Sequence, residues 1–286
     1  VNLGAGLSRN GKRVVIVDLD PQGDISTCHK VTAKKDLYDV LIEGSEPKEA
    51  VSNLGKNLDI IHADHKLADA EQSLVEQGNF IDIFERTFTP KLNYDYVLLD
   101  CPPSLRPINK AALFYSKEVV MPCSTDFLGH EALMKTINVI VKLNEEHNRN
   151  LVVSCVVPTM FDKRRKICKQ TLAQMKKEFT PMLVAEPIRH NVKLSESPKQ
   201  KKSIFTYAKN STGAEDYWKL VKLMLENENM YDTKHSQEQR EKAIREFYTQ
   251  GKKRELMIVG NKITFGYKFF TKPNEIDKDH IINKIA

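Results

Sequence analysis

Two short apolar runs in this chain end in acidic residues. The aliphatic residues 14–17 are followed by Asp18 and Asp20, and the run Tyr-Val-Leu-Leu at 96–99 is followed by Asp100. Carboxylate oxygens are preferred ligands of Mg²⁺, and this metal commonly accompanies a reacting phosphate group. The two runs together therefore predict a nucleotide–metal site.

Both runs are predicted to be strands of a parallel sheet. Continuous apolar stretches of this length are typical of strands that are buried on both faces. Each run is followed by turn-forming residues, Pro21 and Gly23 after the first and Pro102 and Pro103 after the second. Because ligands of open α/β sheets bind just beyond the carboxyl ends of the strands, we expect the acidic residues to share that edge.

The rest of residues 1–229 alternates further predicted strands with predicted helices. The helices are expected at 1–10, 36–44, 66–76, 79–88, 106–115, 129–147, 162–179 and 213–228. The additional strands are expected at 58–61, 118–122, 151–157 and 183–186. This alternation predicts an α/β fold with a doubly wound, mainly parallel sheet.

Residues 230–286 have a different pattern. A charged helix is expected at about 236–249, followed by two β-type runs within 256–270 that turn at Gly260 and Asn261. We therefore expect a first domain at 1–229 and a small helix-plus-hairpin extension at 230–286, of unknown role.

The composition restricts the class of protein. With 286 residues and 41% hydrophobic composition, the chain can form a large core. Its five cysteines include no C-x-x-C pair, which favours reduced thiols over disulfides or a zinc site. No apolar run approaches the roughly 20 residues that span a bilayer, and no signal peptide opens the chain, so we expect a cytoplasmic protein. Because residue 1 is Val, we also expect an N-terminally truncated fragment.

The positive charge lies in the C-terminal half. Residues 1–161 contain 17 Lys and Arg against 22 Asp and Glu, whereas residues 162–209 have a net charge of +9. Such a concentration indicates an anionic partner, although a solvated lysine-rich face explains it as well.

Several blocks of residues 1–228 resemble the ParA-type partition ATPases of the deviant Walker A class. The blocks are Asn-Leu-Gly-Ala-Gly-Leu at 2–7, Asp-Leu-Asp-Pro-Gln-Gly at 18–23, Asp-Cys-Pro-Pro-Ser-Leu at 100–105, Thr-Met-Phe-Asp at 159–162, Ile-Arg-His-Asn-Val-Lys-Leu-Ser-Glu-Ser-Pro at 188–198 and Gly-Ala-Glu-Asp-Tyr at 213–217. The resemblance implies a P-loop NTPase-like fold and an ATPase that uses ATP and Mg²⁺.

The resemblance also assigns roles to individual residues. Asp20 would orient the attacking water, while Asp18 and Asp100 would lie on the metal side. Its other assignments are Pro102, Pro103 and Ser104 in switch II, and Thr159, Asp162, Pro187 and Arg189 at the nucleotide.

One feature of the family has no counterpart in these residues. Family members have a glycine-rich loop whose backbone amides and lysines bind phosphates, and residues 1–286 contain no G-x-x-x-x-G-K-[ST] motif. We expect this loop to precede Val1, and we expect the fragment alone to be impaired in ATP binding and hydrolysis.

The resemblance further implies partners for the intact protein. It predicts a homodimer on ATP binding, nonspecific DNA and a ParB-like centromere-binding protein as partners, and association with the nucleoid; no membrane is expected. Basic side chains can neutralise DNA phosphates without reading sequence. The candidate DNA-binding residues are Lys163, Arg164, Lys193, Lys199, Lys201, Lys202 and Lys209.

Two alternative functions remain open from the sequence. One is a MinD-like protein that is switched by ATP and positions another cargo or binds a membrane. The other is a degenerate relative that does not hydrolyse ATP. A metal cluster at His62, Asp64 and His65 is disfavoured, because no further ligand set is evident.

Overall fold

A computed structural model describes residues 1–29, 31–76, 78, 80–89, 91–103, 106–179 and 183–231. The predicted helix at 236–249 and the predicted hairpin at 256–270 lie outside these residues. The domain boundary at 229/230 therefore stays a prediction.

The described residues alternate strands and helices. The strands are β1 (Val14–Asp18), β2 (Val51–Gly55), β3 (Leu58–Ile61), β4 (Tyr96–Asp100), β5 (Glu118–Ser124) and β6 (Val152–Thr159). The helices are α1 (Asn2–Arg9), α2 (Asp24–Cys28), α3 (Leu37–Leu41), α4 (Lys66–Glu76), α5 (Ile83–Phe88), α6 (Pro107–Tyr115), α7 (Phe127–His147), α8 (Lys166–Glu178), α9 (Val192–Glu196), α10 (Ile204–Tyr207) and α11 (Thr212–Tyr231). Single 3-10 turns occur at Pro47–Ala50 and Pro198–Gln200.

The strands form two sheets among the described residues. One has the order β2-β3-β1-β4, in which β1 pairs in parallel with β3 and β4, and β2 runs antiparallel to β3. The other consists of β5 and β6, which are parallel. The predicted α/β fold with a mainly parallel sheet is confirmed.

Helices cover both faces of β1, as expected for a doubly wound fold. All five residues of β1 are buried, and successive side chains point to opposite faces. Val15 and Val17 contact a cluster supplied by α3, α4, α5 and α6. Val14 and Ile16 contact a second cluster supplied by α1, α10, α11 and β6. The continuous apolar run is thus explained by burial on both sides.

The second predicted strand, β4, is less buried than expected. Residues 96–99 are only half-buried and Asp100 is exposed. One edge of β4 pairs with β1, and no strand among the described residues pairs with its other edge. Both faces of β4 are nevertheless covered, since Val97 and Leu99 pack against one core cluster and Tyr96 and Leu98 against the other, so the prediction is wrong only in the degree of burial.

Three other element predictions need correction. Residues 183–186 form no strand; the structure has only a single parallel bridge between Val156 and Val184. The helix expected at 162–179 begins at Lys166, because the Asp162 carboxylate accepts the Arg164 N–H (2.9 Å) and holds a turn before it. The helix expected at 79–88 begins at Ile83.

The strand β2 was missed. Its sequence, Val-Ser-Asn-Leu-Gly, lacks a regular alternation, and the pairing with β3 shifts register between Asn53 and Gly55. An irregularity of this kind hides the two-residue period by which strands are predicted.

Candidate functional site

Asp18 and Asp100 end adjacent strands. The parallel register of β1 and β4 places Asp18 directly beside Asp100, and the Leu19 N–H donates to the Asp100 carbonyl oxygen (2.9 Å). The expectation that these two carboxylates share the carboxyl edge of the sheet is confirmed by the register.

The Asp18 carboxyl group is buried and only partly hydrogen-bonded. Asp18 is 2% exposed, and its Oδ1 accepts the Asp20 N–H (3.1 Å), while Oδ2 has no hydrogen-bond partner among the described residues. Burial raises the pKa of Asp18 to about 7, and the charges of Asp100 and Asp20 raise it as well, while the nearby backbone N–H groups of Asp20 and Ile25 lower it. A buried carboxyl oxygen in this position requires a proton or a cation.

Asp20 is held in the tight turn that joins β1 to α2. Its Oδ1 accepts the Gln22 N–H (3.0 Å), and its carbonyl oxygen accepts the Gly23 N–H (2.9 Å). Gly23 has φ of +61°, and a Cβ there would lie 2.7 Å from the carbonyl oxygen of Ala63. Glycine is therefore required for the turn that orients Asp20.

The segment after β4 is anchored at both of its described ends. Pro102 is buried and its carbonyl oxygen accepts the Asn109 amide (2.9 Å), whereas Pro103 is exposed. Arg106 pairs with the buried Glu71, which also accepts the Ile108 N–H (3.0 Å) at the start of α6. Ser104, assigned to switch II with these prolines, lies outside the described residues.

The predicted nucleotide contacts surround the end of β6. The Thr159 carbonyl oxygen accepts both the N–H and the hydroxyl of Thr125 (3.0 and 3.1 Å). Phe161 bridges in parallel to Arg189, while Pro187 is half-buried in the segment before it. The structure thus brings Thr159, Pro187 and Arg189 into one neighbourhood, and their contact with a nucleotide stays a prediction.

Two of these residues already have charged partners within the chain. The Arg164 side chain is bonded to both oxygens of Asp162 (3.0 and 2.9 Å) and lowers its pKa to about 2. Arg189 donates to both carboxylate oxygens of the buried Asp216 (2.6 to 3.1 Å) and to Glu215 (2.8 Å). This bidentate pairing fastens the segment after β6 to α11.

The candidate DNA-binding residues divide into paired and unpaired cations. All are exposed. Arg164 pairs with Asp162, and Lys193 pairs with Glu196 (2.8 Å). The members without an ion pair in the described part of the chain are Lys163, Lys199, Lys201, Lys202 and Lys209. The unpaired lysines are the ones whose charge is free for an anionic partner.

The carboxylates at the strand ends fit Mg²⁺ better than they fit a metal whose ligands all come from protein side chains. No group of three or more His, Cys, Asp or Glu that could hold a metal occurs among the described residues, and that includes the region of His62 and His65. Asp18 and Asp100 supply oxygen ligands, and Mg²⁺ commonly uses one or two carboxylates together with water and substrate phosphate. The unpartnered Oδ2 of Asp18 is consistent with such a cation.

Two residues near the carboxylates were not assigned a role from the sequence. Asn2 Oδ1 accepts the Ile204 N–H (3.0 Å), and the Asn2 side chain also bonds the Tyr217 hydroxyl. Tyr217 is buried deeply enough to raise its pKa, with the Asp100 charge as a further cause. Asn2 lies in the block at 2–7 and Tyr217 in the block at 213–217. The resemblance of these blocks to the family is the sequence signal that could have identified both residues.

Within the described residues, no helix combines the length and apolar character needed to cross a bilayer.

Comparisons with known proteins identify the family of this chain. Residues 1–153 match the AAA domain family. The chain is 34% identical over 232 residues to the sporulation initiation inhibitor protein Soj of Bacillus subtilis, covering 79% of this chain and 92% of that protein. It is 31% identical over 238 residues to the chromosome partitioning protein ParA of Caulobacter vibrioides, covering 80% and 88%.

Solved structures share the fold. The ATP complex of a Cyanothece McdA variant superposes with a TM-score of 0.70 at 21% identity, covering 78% of this chain and 88% of that one. Cobyrinic acid a,c-diamide synthase of Mycobacterium smegmatis with bound ADP and magnesium gives 0.65 at 24% identity, covering 78% and 86%. The matched family model and these two relatives show that this chain belongs to the ParA/Soj family of partition ATPases.

Proposed function

We propose that the intact protein hydrolyses ATP with Mg²⁺ and uses the cycle to partition DNA. The observation that carries this proposal is the placement of Asp18 beside Asp100, with Asp20 in the turn that follows. Phosphoryl transfer needs little covalent chemistry from the protein, so correctly placed carboxylates account for much of what a hydrolytic site must supply.

The three carboxylates have different roles in this proposal. Asp20 orients the attacking water, because its turn is held by the Gln22 and Gly23 N–H groups while its carboxylate is half-exposed. Asp18 and Asp100 hold the metal side, where the buried Oδ2 of Asp18 lacks a hydrogen-bond partner in the part of the chain that the structure describes. Bound Mg²⁺ supplies neutralisation of phosphate charge.

Loss of the Asp20 carboxylate tests the catalytic assignment. In the intact protein, Asp20→Ala is expected to lower the ATP hydrolysis rate by about 100-fold or more, an effect comparable to loss of a general base, while ATP affinity stays within about threefold. Asp24→Ala, at an exposed position four residues later, serves as the control. Equal rates for wild type and Asp20→Ala would overturn the role of Asp20.

The DNA-binding part of the proposal rests on the unpaired lysines. Lys199, Lys201 and Lys202 are exposed, close together in sequence and without an ion pair in the described residues. Their charges can neutralise phosphates of any sequence, which gives salt-dependent, nonspecific affinity. The proposal includes an ATP-dependent homodimer, a ParB-like centromere-binding partner and a nucleoid location.

Charge reversal tests this surface. Substitution of Lys199, Lys201 and Lys202 by Glu is expected to abolish retention of ATP-loaded protein on nonspecific DNA at low salt. The matched control reverses Lys34, Lys48 and Lys135, which are exposed and unpaired in the described chain but lie elsewhere. Unchanged retention of the first variant would overturn the assignment, and sedimentation with anionic liposomes instead of DNA would favour the MinD-like alternative.

A further inference from the structure

A cavity of about 540 Å³ lies along one face of α1. Ala5, Ser8 and Arg9 form this face, as their helical spacing allows. Residues 54–58 of the β2–β3 hairpin form a second wall, and residues 201–206 form the third. A volume of this size is typical of sites for small organic ligands.

Four basic side chains from three separate elements line this cavity. They are Arg9, Lys56, Lys201 and Lys202, and these residues define what is here called the basic cavity. No Asp or Glu lines it, and none of the four basic residues forms an ion pair with a carboxylate in the described parts of the chain. By contrast, the neighbouring Lys12 is paired with Glu228 (2.7 Å). The positive charge of the basic cavity is therefore uncompensated.

Neutral contacts hold one of these cations in place. Arg9 Nη2 donates to the Thr206 hydroxyl (2.6 Å), and its guanidinium carbon lies 5.9 Å from the centre of the Phe205 ring. These contacts orient the guanidinium without cancelling its charge. The remaining N–H donors of Arg9 are available for a ligand with several acceptor oxygens.

The backbone of two walls is held in an unusual conformation. Lys201 has φ of +52° and Asn57 has φ of +59°, although neither is glycine. The Lys201 N–H donates to the Pro198 carbonyl oxygen (2.9 Å), and the Asn57 carbonyl oxygen accepts the Val14 N–H (2.9 Å). The left-handed conformation carries strain for Lys201, whereas Asn57 adopts it readily in the turn between β2 and β3.

The imidazole of His29 lies close to the positive charge of the basic cavity. His29 lines the cavity, where burial lowers its pKa, and the charges of the Val1 amino group and then of Lys201 lower it further. Ala5, Leu54 and Leu58 add an apolar wall beside the cations. The lining thus combines several cations, hydroxyl groups and an apolar surface.

We propose that the basic cavity binds a small molecule with two or more phosphoryl groups, of about the size of a nucleotide. Several convergent cations match the charge of a di- or triphosphate, and the apolar wall accommodates a non-charged part of the same molecule. Lys56 lies at the amino end of β3, whereas Asp18 and Asp100 lie at the carboxyl ends of β1 and β4. Arg9 and Lys56 therefore lie away from the carboxylates proposed for ATP hydrolysis. Val1, which also lines the cavity, is close enough to Asp18 and Asp100 for their charges to raise the pKa of its amino group, against the larger lowering by burial.

Binding of inorganic tripolyphosphate to the intact protein tests the proposal. Calorimetry is performed with a non-hydrolysable ATP analogue and Mg²⁺ in excess, so that the hydrolytic site is saturated. Wild type is expected to bind tripolyphosphate, and Lys56→Glu is expected to weaken binding by about tenfold or more, because it reverses one of the charges that face the ligand. Arg9→Gln is expected to weaken binding in the same direction.

The control is Lys48→Glu, an equal charge change at an exposed lysine outside the cavity that forms no ion pair with any described residue. Absence of tripolyphosphate binding, or equal weakening by Lys48→Glu and Lys56→Glu, would overturn the proposal. Nonspecific DNA retention is measured in parallel; if Lys56→Glu reduces it as strongly as tripolyphosphate binding, the cavity belongs to a DNA surface and the small-molecule assignment is wrong. None of these outcomes bears on the hydrolytic role of Asp20.

Discussion

Arg13 and Asp95 form a charged pair immediately before β1 and β4. The Arg13 backbone N–H and its side chain both donate to the Asp95 carboxylate (2.7 and 2.8 Å). These bonds lower the pKa of Asp95 from 3.8 to about 2. A carboxyl group whose pKa is lower in the folded state stabilises the fold above its unfolded pKa, and this contribution disappears as the pH falls through both values.

Asp95→Asn is therefore expected to make stability less dependent on pH between about pH 4 and pH 2, because one group that takes up a proton on unfolding is removed. The measurement is urea unfolding across this range, with Asp69→Asn as control, since Asp69 is exposed and has no ion pair within the described chain. An Asp95→Asn slope equal to that of wild type would contradict the pairing in solution.

At the same scale, the site was predictable in part. The apolar runs before Asp18 and Asp100 were enough to place both at one sheet edge. Their different burial was not predictable, because it depends on how the turn and α2 fold over Asp18. Nor could sequence spacing show that Arg189 pairs with Asp216, 27 residues later.

At the scale of elements, the close approach of α1 to α11 depends on Gly6. A Cβ at Gly6 would overlap Cγ2 of Val221 and lie 3.2 Å from the Phe205 ring. Val221 is β-branched and cannot easily move its methyl group away. At Gly4, the nearest atom would be the flexible Cδ1 of Ile16, at 3.1 Å.

Gly6→Ala is expected to destabilise the protein by about 1–2 kcal/mol, because overpacking outweighs the helix propensity gained by alanine. Gly4→Ala should change the free energy of unfolding by less than about 0.5 kcal/mol, since the two effects nearly cancel there. Chemical denaturation of both variants measures the difference. A Gly4→Ala loss as large as that of Gly6→Ala would contradict the proposed contact.

The pairing of Arg189 with α11 leads to a second prediction at this scale. Arg189→Gln is expected to cost about 1–2 kcal/mol of stability, a value reduced for the partial exposure of the guanidinium, because the buried Asp216 loses its cation. Lys219→Gln removes only an exposed pair with Glu215 and should cost about 0.5 kcal/mol or less. Unchanged stability of Arg189→Gln with weakened ATP binding would instead support its assignment to the nucleotide.

Elements with strong periodicity or clear end signals were predictable. The helix α4 has the bounds expected from the sequence, and α1 ends before Gly11, whose φ of +86° suits a helix stop. The antiparallel β2 and the single bridge at Val184 were not predictable, because edge pairings depend on neighbouring strands more than on local pattern.

At the scale of the whole molecule, positive charge is distributed unevenly along the chain. Its basic side chains also differ in whether they pair with acidic side chains. Residues 1–161 have fewer basic than acidic residues, and cations such as Lys12 and Arg13 are neutralised by partners within the chain. The excess at 162–209 is only partly neutralised, since Lys199 and Lys202 remain exposed and unpaired in the described residues. The composition predicted an anionic partner, but only the structure separates these free cations from paired ones.

The free cations should determine the salt dependence of DNA binding. If Lys199 and Lys202 each neutralise one phosphate, the double change to Gln should reduce the magnitude of the slope of log K against log salt by about 1.8, because each released counterion contributes about 0.9. Lys48→Gln removes an exposed lysine outside this region, one without an ion pair among residues 1–231 as far as the structure describes them, and should leave the slope unchanged. Fluorescence anisotropy with duplex DNA over a range of salt concentrations measures both slopes. A double variant that binds more weakly with the wild-type slope would show that these lysines act through the fold of residues 197–207 and not through direct contact with phosphate.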